Sequence, residues 1–226
     1  MARPGRHVYP FPRPSVTADV LVVRPGDEGL EILLIRRGNA PFAGSWALPG
    51  GFVDEHEDLE AAARRELREE TGIAVATVRE VGMFGRPGRD PRGHTVTVAY
   101  LTAVRRKARL RGLAAGDDAR ELGFFPLEGL PALAFDHDDI VARGRAALSR
   151  GAIDEDLLFD LLPRHFDLAE LRRLASWATG WPAATFRENR LARRPFLAPA
   201  ADGRYRFDAS LFRRLPPSDR KAWLLR

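Results

Sequence analysis

The spacing of apolar and polar positions changes several times along the chain. Residues 17–23 and 31–35 are rich in Val, Ile and Leu and flank the turn-rich RPGDEG, so they predict a hairpin or two neighbouring strands. GNAPFAGSWALPGG follows, punctuated by Gly and Pro as loops are. Over residues 59–71 the period becomes helical. Leu59, Ala62, Ala63 and Leu67 recur at three and four residues, with Leu59 and Leu67 expected to face the core. Gly72 stands where such a helix stops. Residues 75–84 and 94–104 read as strands on either side of the polar, basic GRPGRDPRGH, and residues 121–127 as a last short strand.

Further along, residues 136–150 predict a helix with Ile140, Val141, Gly144, Ala147 and Leu148 on one face. Asp167 suits the cap of another helix, whose inner face is Leu168, Leu171, Leu174, Ala175 and Ala178. Gly180 breaks it, and Pro182 suits the first turn of a second helix reaching about Leu191. RPFLAPAADGRYRFD then offers two short strands about Asp202 and Gly203. Helix, tight turn, helix, hairpin is the order of a winged helix-turn-helix. The pattern divides the chain into residues 1–150, with a linker helix at their end, and residues 151–226.

Composition narrows the setting. The chain has 226 residues, 45% hydrophobic and 30% charged, the balance of a globular protein with a real core. It has no cysteine, which excludes disulfides and thiolate-bound metals. No apolar run reaches the roughly 20 residues of a membrane span, and MARPGRHVYPFPRP lacks the apolar stretch of a signal peptide, so a cytoplasmic protein without a membrane partner is expected. Residues 161–226 hold 14 Lys and Arg against 6 Asp and Glu, a net of +8 that leaves the preceding part at −3. The basic part reads either as a surface that meets a polyanion or as a solvated, arginine-rich exterior.

The acids of GGFVDEHEDLEAAARRELREETGI carry the candidate chemistry. Glu66, Glu69 and Glu70 stand at i, i+3 and i+4 of the predicted helix, so their carboxylates are expected to converge. Like charges so placed raise one another's pKa, and something positive must offset them. Grouped oxygen ligands select hard cations such as Mg²⁺ or Mn²⁺, which keep waters and grip substrate phosphates. Arg65, eight residues after Glu57, would pin the preceding loop to the helix through a bidentate pair. Gly50 and Gly51 let the backbone turn sharply enough for a main-chain carbonyl to approach a metal. Spacing alone equally admits a solvated, salt-bridged helix.

The complete pattern is more specific: Gly51, five residues, Glu57, seven residues, Arg65-Glu66-Leu67, one residue, Glu69-Glu70, one residue, Gly72-Ile73. It resembles the signature of the Nudix hydrolases with no departure at a fixed position. The resemblance implies an α/β/α sandwich with a mixed sheet, Mg²⁺ or Mn²⁺ as cofactor, and hydrolysis of a nucleoside diphosphate linked to another moiety. It implies Glu66, Glu69 and Glu70 as metal-binding or catalytic carboxylates, the Gly50 carbonyl as a further metal ligand, and Arg65 and Glu57 as orienting residues. Glu66 is the first choice of general base, with Glu121 and Glu128 as later acids. LLIRRGNAPFAGSWALPGGFV, DPRGHTVTVAYL and LAFDHDDI resemble ADP-ribose pyrophosphatases and a related group of regulators. In that reading Arg36, Arg37, Arg89 and Arg92 would contact phosphates and Trp46 would stack on a base; solvated arginines and a packed tryptophan are the alternatives. His7, His56, His94, His137 and His165 lack metal-ligand spacing and read as structural.

FDLAELRRLASWATGWPAATFRENRLARRPFL followed by GRYRFD resembles the C-terminal winged helix of Nudix-related regulators of NAD metabolism. That resemblance implies a homodimer that binds double-stranded DNA and senses ADP-ribose or a related nucleotide. A recognition helix over residues 182–191 would present Thr185, Arg187, Asn189 and Arg190, with Arg193 and Arg194 beside it, and Arg204 and Arg206 would lie on the wing. Many such regulators carry Asn-Phe-Arg-Arg-Lys where this chain has Thr185-Phe186-Arg187-Glu188-Asn189, so an acid replaces a base. Several also carry an eroded Nudix motif, whereas this one is intact. The favoured expectation is hydrolysis of ADP-ribose to AMP and ribose 5-phosphate, and the alternative is an ADP-ribose-responsive transcriptional regulator. A winged helix that only dimerises, or covers the active site, is a further reading of the second part.

Overall fold

The computed structural model describes residues 10–107, 119–220 and 223–225; the N-terminal leader expectation and His7 lie outside them. Strands β1 (Ser15–Pro25), β2 (Leu30–Arg37), β3 (Trp46–Ala47), β4 (Gly50–Phe52), β5 (Arg79–Phe84), β6 (Thr95–Ala103) and β7 (Ala119–Pro126) make one sheet. Its main path runs β3-β2-β1-β6-β5, with β4 on β1 and β7 on β2. The β1–β6 pair is parallel and the others are antiparallel, so the sheet is mixed. RPGDEG closes the β1–β2 hairpin.

The central strands are apolar on both faces because both faces are covered. Along β1, Val20 and Val22 join the cluster under helix α1 (Leu59–Thr71), which includes Ala62, Ala63 and Leu67. Leu21 and Val23 point the other way, towards α2 (His137–Asp154) and its Ile140, Val141 and Leu148. Helix α1 is capped by the Asp58 side chain accepting from the Glu60 amide, and Gly72 ends it in the left-handed conformation. Leu59, expected to face the core, is exposed: as the first helical residue it points back past the helix end. The strand expected over residues 75–84 begins only at Arg79, where pairing with β6 starts.

Helix α2 runs without a break through residues 150 and 151. After it come α3 (Leu157–Leu161), α4 (Leu168–Thr179), a 3₁₀ turn (Ala183–Thr185), α5 (Glu188–Leu191), the β8–β9 hairpin (Leu197–Pro199 and Tyr205–Phe207), α6 (Ala209–Arg214) and α7 (Pro217–Arg220). Helix α4, the short α5 and the hairpin follow in winged-helix order. Helix α4 is capped at both ends as its sequence predicts, by Asp167 and by left-handed Gly180. The helix expected over residues 182–191 is instead divided. Phe186 and Arg187 are both extended, and the Phe186 side chain is fully buried, so the chain turns inwards between the 3₁₀ turn and α5.

The hydrophobic cluster on the α2 side of the sheet does not stop at the C-terminal part. It runs from Leu21 and Ile140 through Leu171, Phe186 and Phe196 to Trp223 and Leu224. Phe159 stands at its aromatic centre, stacked on Phe207 at 3.7 Å between ring centroids and lying 5.2 Å from Trp223. Arg79 of β5 reaches the same region, pairing with Glu155, Asp156 and Asp160. Truncation of this centre leaves a cavity the neighbouring rings cannot close, so Phe159→Ala is expected to lower the unfolding free energy by about 3–5 kcal/mol, measured by denaturant melts followed by tryptophan fluorescence.

Candidate functional site

Where α1 approaches β1 and β4, a cavity of about 270 Å³ opens. One wall is acidic, formed by Asp19, Asp54, Glu66 and Glu70, and another carries Arg37, Arg89, Arg92 and the ring of Phe135. The glycine turn between the walls is required by space. A Cβ on Gly51 would meet the Glu66 carboxyl group at 2.5 Å, and one on Gly50 would run into the Ala18 carbonyl and Asp19. Gly50 also has φ +156, a conformation L side chains rarely adopt.

Arg65 pins this turn to α1. Its Nε donates to Glu57 Oε1 and its Nη2 to Glu57 Oε2, both at 2.8 Å, and Nη2 also donates to the Phe52 carbonyl at 3.0 Å. The Arg65 hydrogen bond holds the Glu57 carboxyl below the usual range. From the other guanidinium edge, Nη1 donates to Glu66 at 2.7 Å and to Glu69 at 3.2 Å. Glu70 accepts from the Gly50 amide at 2.9 Å. Although Glu70 as a whole is half-buried, its carboxyl end is crowded by protein: desolvation pushes its pKa up to about 8, against the Gly50 hydrogen bond and with Glu66 and Asp19 adding repulsion. Burial raises the Glu66 carboxyl as well.

The expected convergence of three carboxylates is met by two. Relative to Glu66, Glu70 is turned by about 40° towards the sheet and Glu69 by about 60° away from it, as 3.6 residues per turn require. Glu69 is accordingly exposed at the outer rim and held by Arg65. Among the described residues no three acidic or histidine side chains already stand as a metal cage. The donor set nonetheless fits a divalent cation. It is all hard oxygen, the carboxylates are crowded and desolvated, and an ion that keeps several waters and grips substrate phosphates needs only a few protein ligands.

The basic residues named from sequence separate. Arg36 and Arg37 alternate on β2 and so point to opposite faces. Arg37 lines the cavity, donating to the Pro41 carbonyl with its guanidinium 4.8 Å from the Phe135 ring centroid. Arg36 does not line it; it is exposed and bound to the Gly44 carbonyl and Glu121. Arg92 lines the cavity, paired with Asp90 and facing the rings of Phe52 and Phe135. Arg89 is neither solvated nor free for phosphate, being buried in a bidentate pair with Asp136. Trp46 is held away from the cavity by packing edge-on against Phe125 at 4.6 Å. Glu121 and Glu128 are both exposed outside the cavity and paired with Arg36 and Arg145.

Several cavity residues escaped the sequence reading, Asp19, Phe135 and His137 among them. Asp19 is a lone acid in an apolar strand, buried and bonded to Thr97 Oγ1 at 2.6 Å; a carboxylate in such a run is itself a signal. Phe135, Asp136 and His137 lie in LAFDHDDI, which periodicity explains only as a helix start. His137, expected to be merely structural, lines the cavity and accepts from the Leu48 amide at 2.9 Å. Of the other described histidines, His56 and His94 are exposed and His165 stands 3.5 Å from Asp202. Around α5, Thr185, Arg187, Asn189, Arg190 and Arg193 are exposed and Arg194 is half-buried. Glu188, the acid at an otherwise basic position, bonds Arg172 of α4 at 2.6 Å.

Comparison with known proteins agrees with this geometry. A family model described as NUDIX domain matches residues 13–144. The ADP-ribose pyrophosphatase of Methanocaldococcus jannaschii is 43% identical over 129 residues, 57% of this chain and 71% of that protein. The ADPR responsive transcriptional repressor NtrR of Acinetobacter baylyi is 36% identical over 166 residues, covering 73% of this chain and 66% of the repressor's length. Among solved structures, Shewanella oneidensis NrtR complexed with a 27mer DNA matches with a TM-score of 0.69 at 28% identity, covering 85% of this chain and 93% of that one.

Because Arg89 and Asp136 are buried together, removing one charge strands the other. Asp136→Asn is expected to cost about 3–5 kcal/mol of stability, and Arg89→Met with Asp136→Leu much less than the single change, as a double-mutant cycle of denaturant melts would show.

Proposed function

The chain belongs to the NUDIX family, and from that premise we propose that it is a Mg²⁺- or Mn²⁺-dependent pyrophosphohydrolase that cleaves ADP-ribose to AMP and ribose 5-phosphate. The observation that carries this reading is the two-signed cavity, with crowded carboxylates from the Nudix helix on one wall and arginines with an aromatic ring on another. A diphosphate accompanied by a cation matches both walls at once.

In this reading Glu66, Glu70 and the Gly50 carbonyl hold the ion from inside the cavity, and Glu69 assists from the rim. When bound, it neutralises the diphosphate and lowers the pKa of an attacking water. Arg65 fixes the turn and the orientation of Glu66 and Glu69, and Glu66 takes the proton of the attacking water. Arg37 and Arg92 receive phosphate oxygens, for which a guanidinium is a planar two-pronged donor. The Phe135 ring offers an apolar face beside them. Residues 1–150 carry this chemistry in our reading.

A second activity is favoured by a separate observation: the exposed arginines gather around α5 and the β8–β9 hairpin. We infer that residues 151–226 bind double-stranded DNA as part of a homodimer. Thr185, Arg187, Asn189 and Arg190 would meet base edges or phosphates, with Arg193 and Arg194 at the backbone. The divided helix leaves a short reading element, and Glu188 is engaged by Arg172 instead of facing the duplex. The repressor and the DNA-bound neighbour support this reading.

With Mg²⁺ or Mn²⁺, chromatography of a panel of nucleotides should show AMP released from ADP-ribose. Glu70→Gln should lower kcat/KM by at least about 100-fold, the upper end of what residues behind a metal cost, while the melting curve is kept; normal turnover by this variant would remove the metal-site assignment. In mobility shifts, binding to a promoter fragment should weaken as salt rises and reverse on adding ADP-ribose, and Arg187→Ala with Arg190→Ala should abolish the shift.

A further inference from the structure

Three consecutive residues, Phe135, Asp136 and His137, each hold a different side of the cavity. Phe135 presents its ring to Arg37 and Arg92, at 4.8 and 5.5 Å from the guanidinium carbons to the ring centroid. Asp136 accepts from Arg89 Nη2 at 2.6 Å and Nε at 2.9 Å, which anchors the loop between β5 and β6. His137 Nδ1 accepts from the Leu48 amide at 2.9 Å, which anchors the turn leading to Gly50. The segment is itself stitched in place upstream, where the Ala134 amide donates to the Trp46 carbonyl at 2.8 Å.

Two local sacrifices mark this segment as more than a helix start. Phe135 has φ +58, a conformation uncommon for a residue with a bulky side chain. Asp136 stands at the N-cap of α2, yet its side chain caps nothing, because both oxygens go to Arg89. A capping bond worth about 1 kcal/mol is forgone there for the grip on the loop. The left-handed residue is what lets three neighbouring side chains leave in three directions.

We propose that residues 135–137 form a positioning tripod for the hydrolytic site, in which His137 sets the turn at residues 48–51 against the Nudix helix through the Leu48 amide. The proposal rests on the hydrolase reading for its kinetic consequence, though not for its structural one. The turn is held at three consecutive places: the Leu48 amide by His137, the Pro49 carbonyl by the Val20 amide at 2.8 Å, and the Gly50 amide by Glu70 at 2.9 Å. Only the first comes from the α2 side of the cavity. Since Nδ1 accepts the hydrogen bond from the Leu48 N–H, the neutral ring carries its own proton on Nε2, which lies 3.8 Å from Asp19 Oδ1. A ring protonated at both nitrogens would turn a donor against the Leu48 N–H. His137 therefore acts as a fixed neutral acceptor. It is a positioning residue, and its effect on the reaction passes through Gly50 and Glu70.

The two conservative amides separate these roles. In His137→Asn, Oδ1 takes the place of Nδ1 and keeps the bond to Leu48. In His137→Gln, the acceptor moves beyond that position. Amide exchange at Leu48, read by NMR or by peptide mass spectrometry, should be markedly faster in the Gln variant and close to wild type in the Asn variant. With ADP-ribose and Mg²⁺, kcat should fall about 10- to 100-fold in the Gln variant with KM within about threefold, since a small misplacement costs rate more than binding. The Asn variant should recover to within about threefold of wild type. Equal kcat losses in both variants, or unchanged Leu48 exchange in the Gln variant, would overturn the tripod. Wild-type protein inert towards ADP-ribose would sink the hydrolase reading instead, leaving the exchange comparison to decide the tripod. Should the Gln variant fail to fold, the Asn variant decides: it must keep both Leu48 protection and kcat, and loss of either counts against the proposal.

Discussion

Repulsion among the carboxylates of Asp19, Glu66 and Glu70 is the constraint around which the rest of the structure is arranged. Left to themselves, like charges in a desolvated cleft separate or become protonated. Here the backbone holds them together. Asp19 is held by the central strand and by Thr97, Glu66 by the helix and Arg65, and Glu70 by the Gly50 amide. The two glycines of the turn are small enough for these carboxyl groups to press against the main chain. An arrangement that disfavours its own charged state is suited to binding something strongly positive, and a cation escorting a diphosphate has that character.

Apart from the Arg65 Nη1 bond to Glu66, opposite charges are kept from collapsing onto this cluster by being engaged elsewhere. Asp136 takes Arg89, Asp90 takes Arg92, and Glu57 takes two of the three guanidinium nitrogens of Arg65. Each pair holds its guanidinium in place; Arg89 is buried in doing so, whereas the Arg92 side chain stays 40% exposed at the cavity. The cavity can thus carry two signs of potential a few ångströms apart without closing. Arg37 and Arg92 further lie over aromatic rings, where a guanidinium keeps its charge while its flat face is packed.

The C-terminal part is joined to this arrangement by packing. Helix α2 begins at His137, on the cavity wall, and ends at Asp154, beside Glu155, whose carbonyl accepts from Trp223 Nε1 at 2.7 Å. The hydrophobic cluster that α2 shares with the sheet continues into the rings of Phe159, Phe196 and Phe207. A linker of polar residues would let two units move freely. A shared helix with a continuous apolar core makes one end of α2 part of the cavity wall and the other part of the winged-helix core.

Much of this was legible in the residues alone. Periodicity located β1, β2, α1, α2 and α4, because each buries a stripe or both faces against a neighbour, and caps such as Gly72, Asp167 and Gly180 act through local backbone geometry. The signature over residues 51–73 identified the acidic wall for the same reason: its members lie on one helix and the adjoining turn. What the chain order could not reveal was which residues meet from a distance. Asp19, Phe135 and His137 reach the cavity from β1 and the start of α2, 32 or more residues from the nearest member of the signature. Arg36 and Arg37 are neighbours in sequence, yet strand alternation sends one to solvent and one to the site. Trp46 and Arg89 went to packing and to a buried ion pair because the sheet and α2 brought Phe125 and Asp136 to them. Phe186 likewise ended the expected recognition helix only because a distant core was there to receive its ring. Local order followed from short-range sterics and hydrogen bonding, whereas partners across the fold were settled by which surfaces the sheet brought face to face.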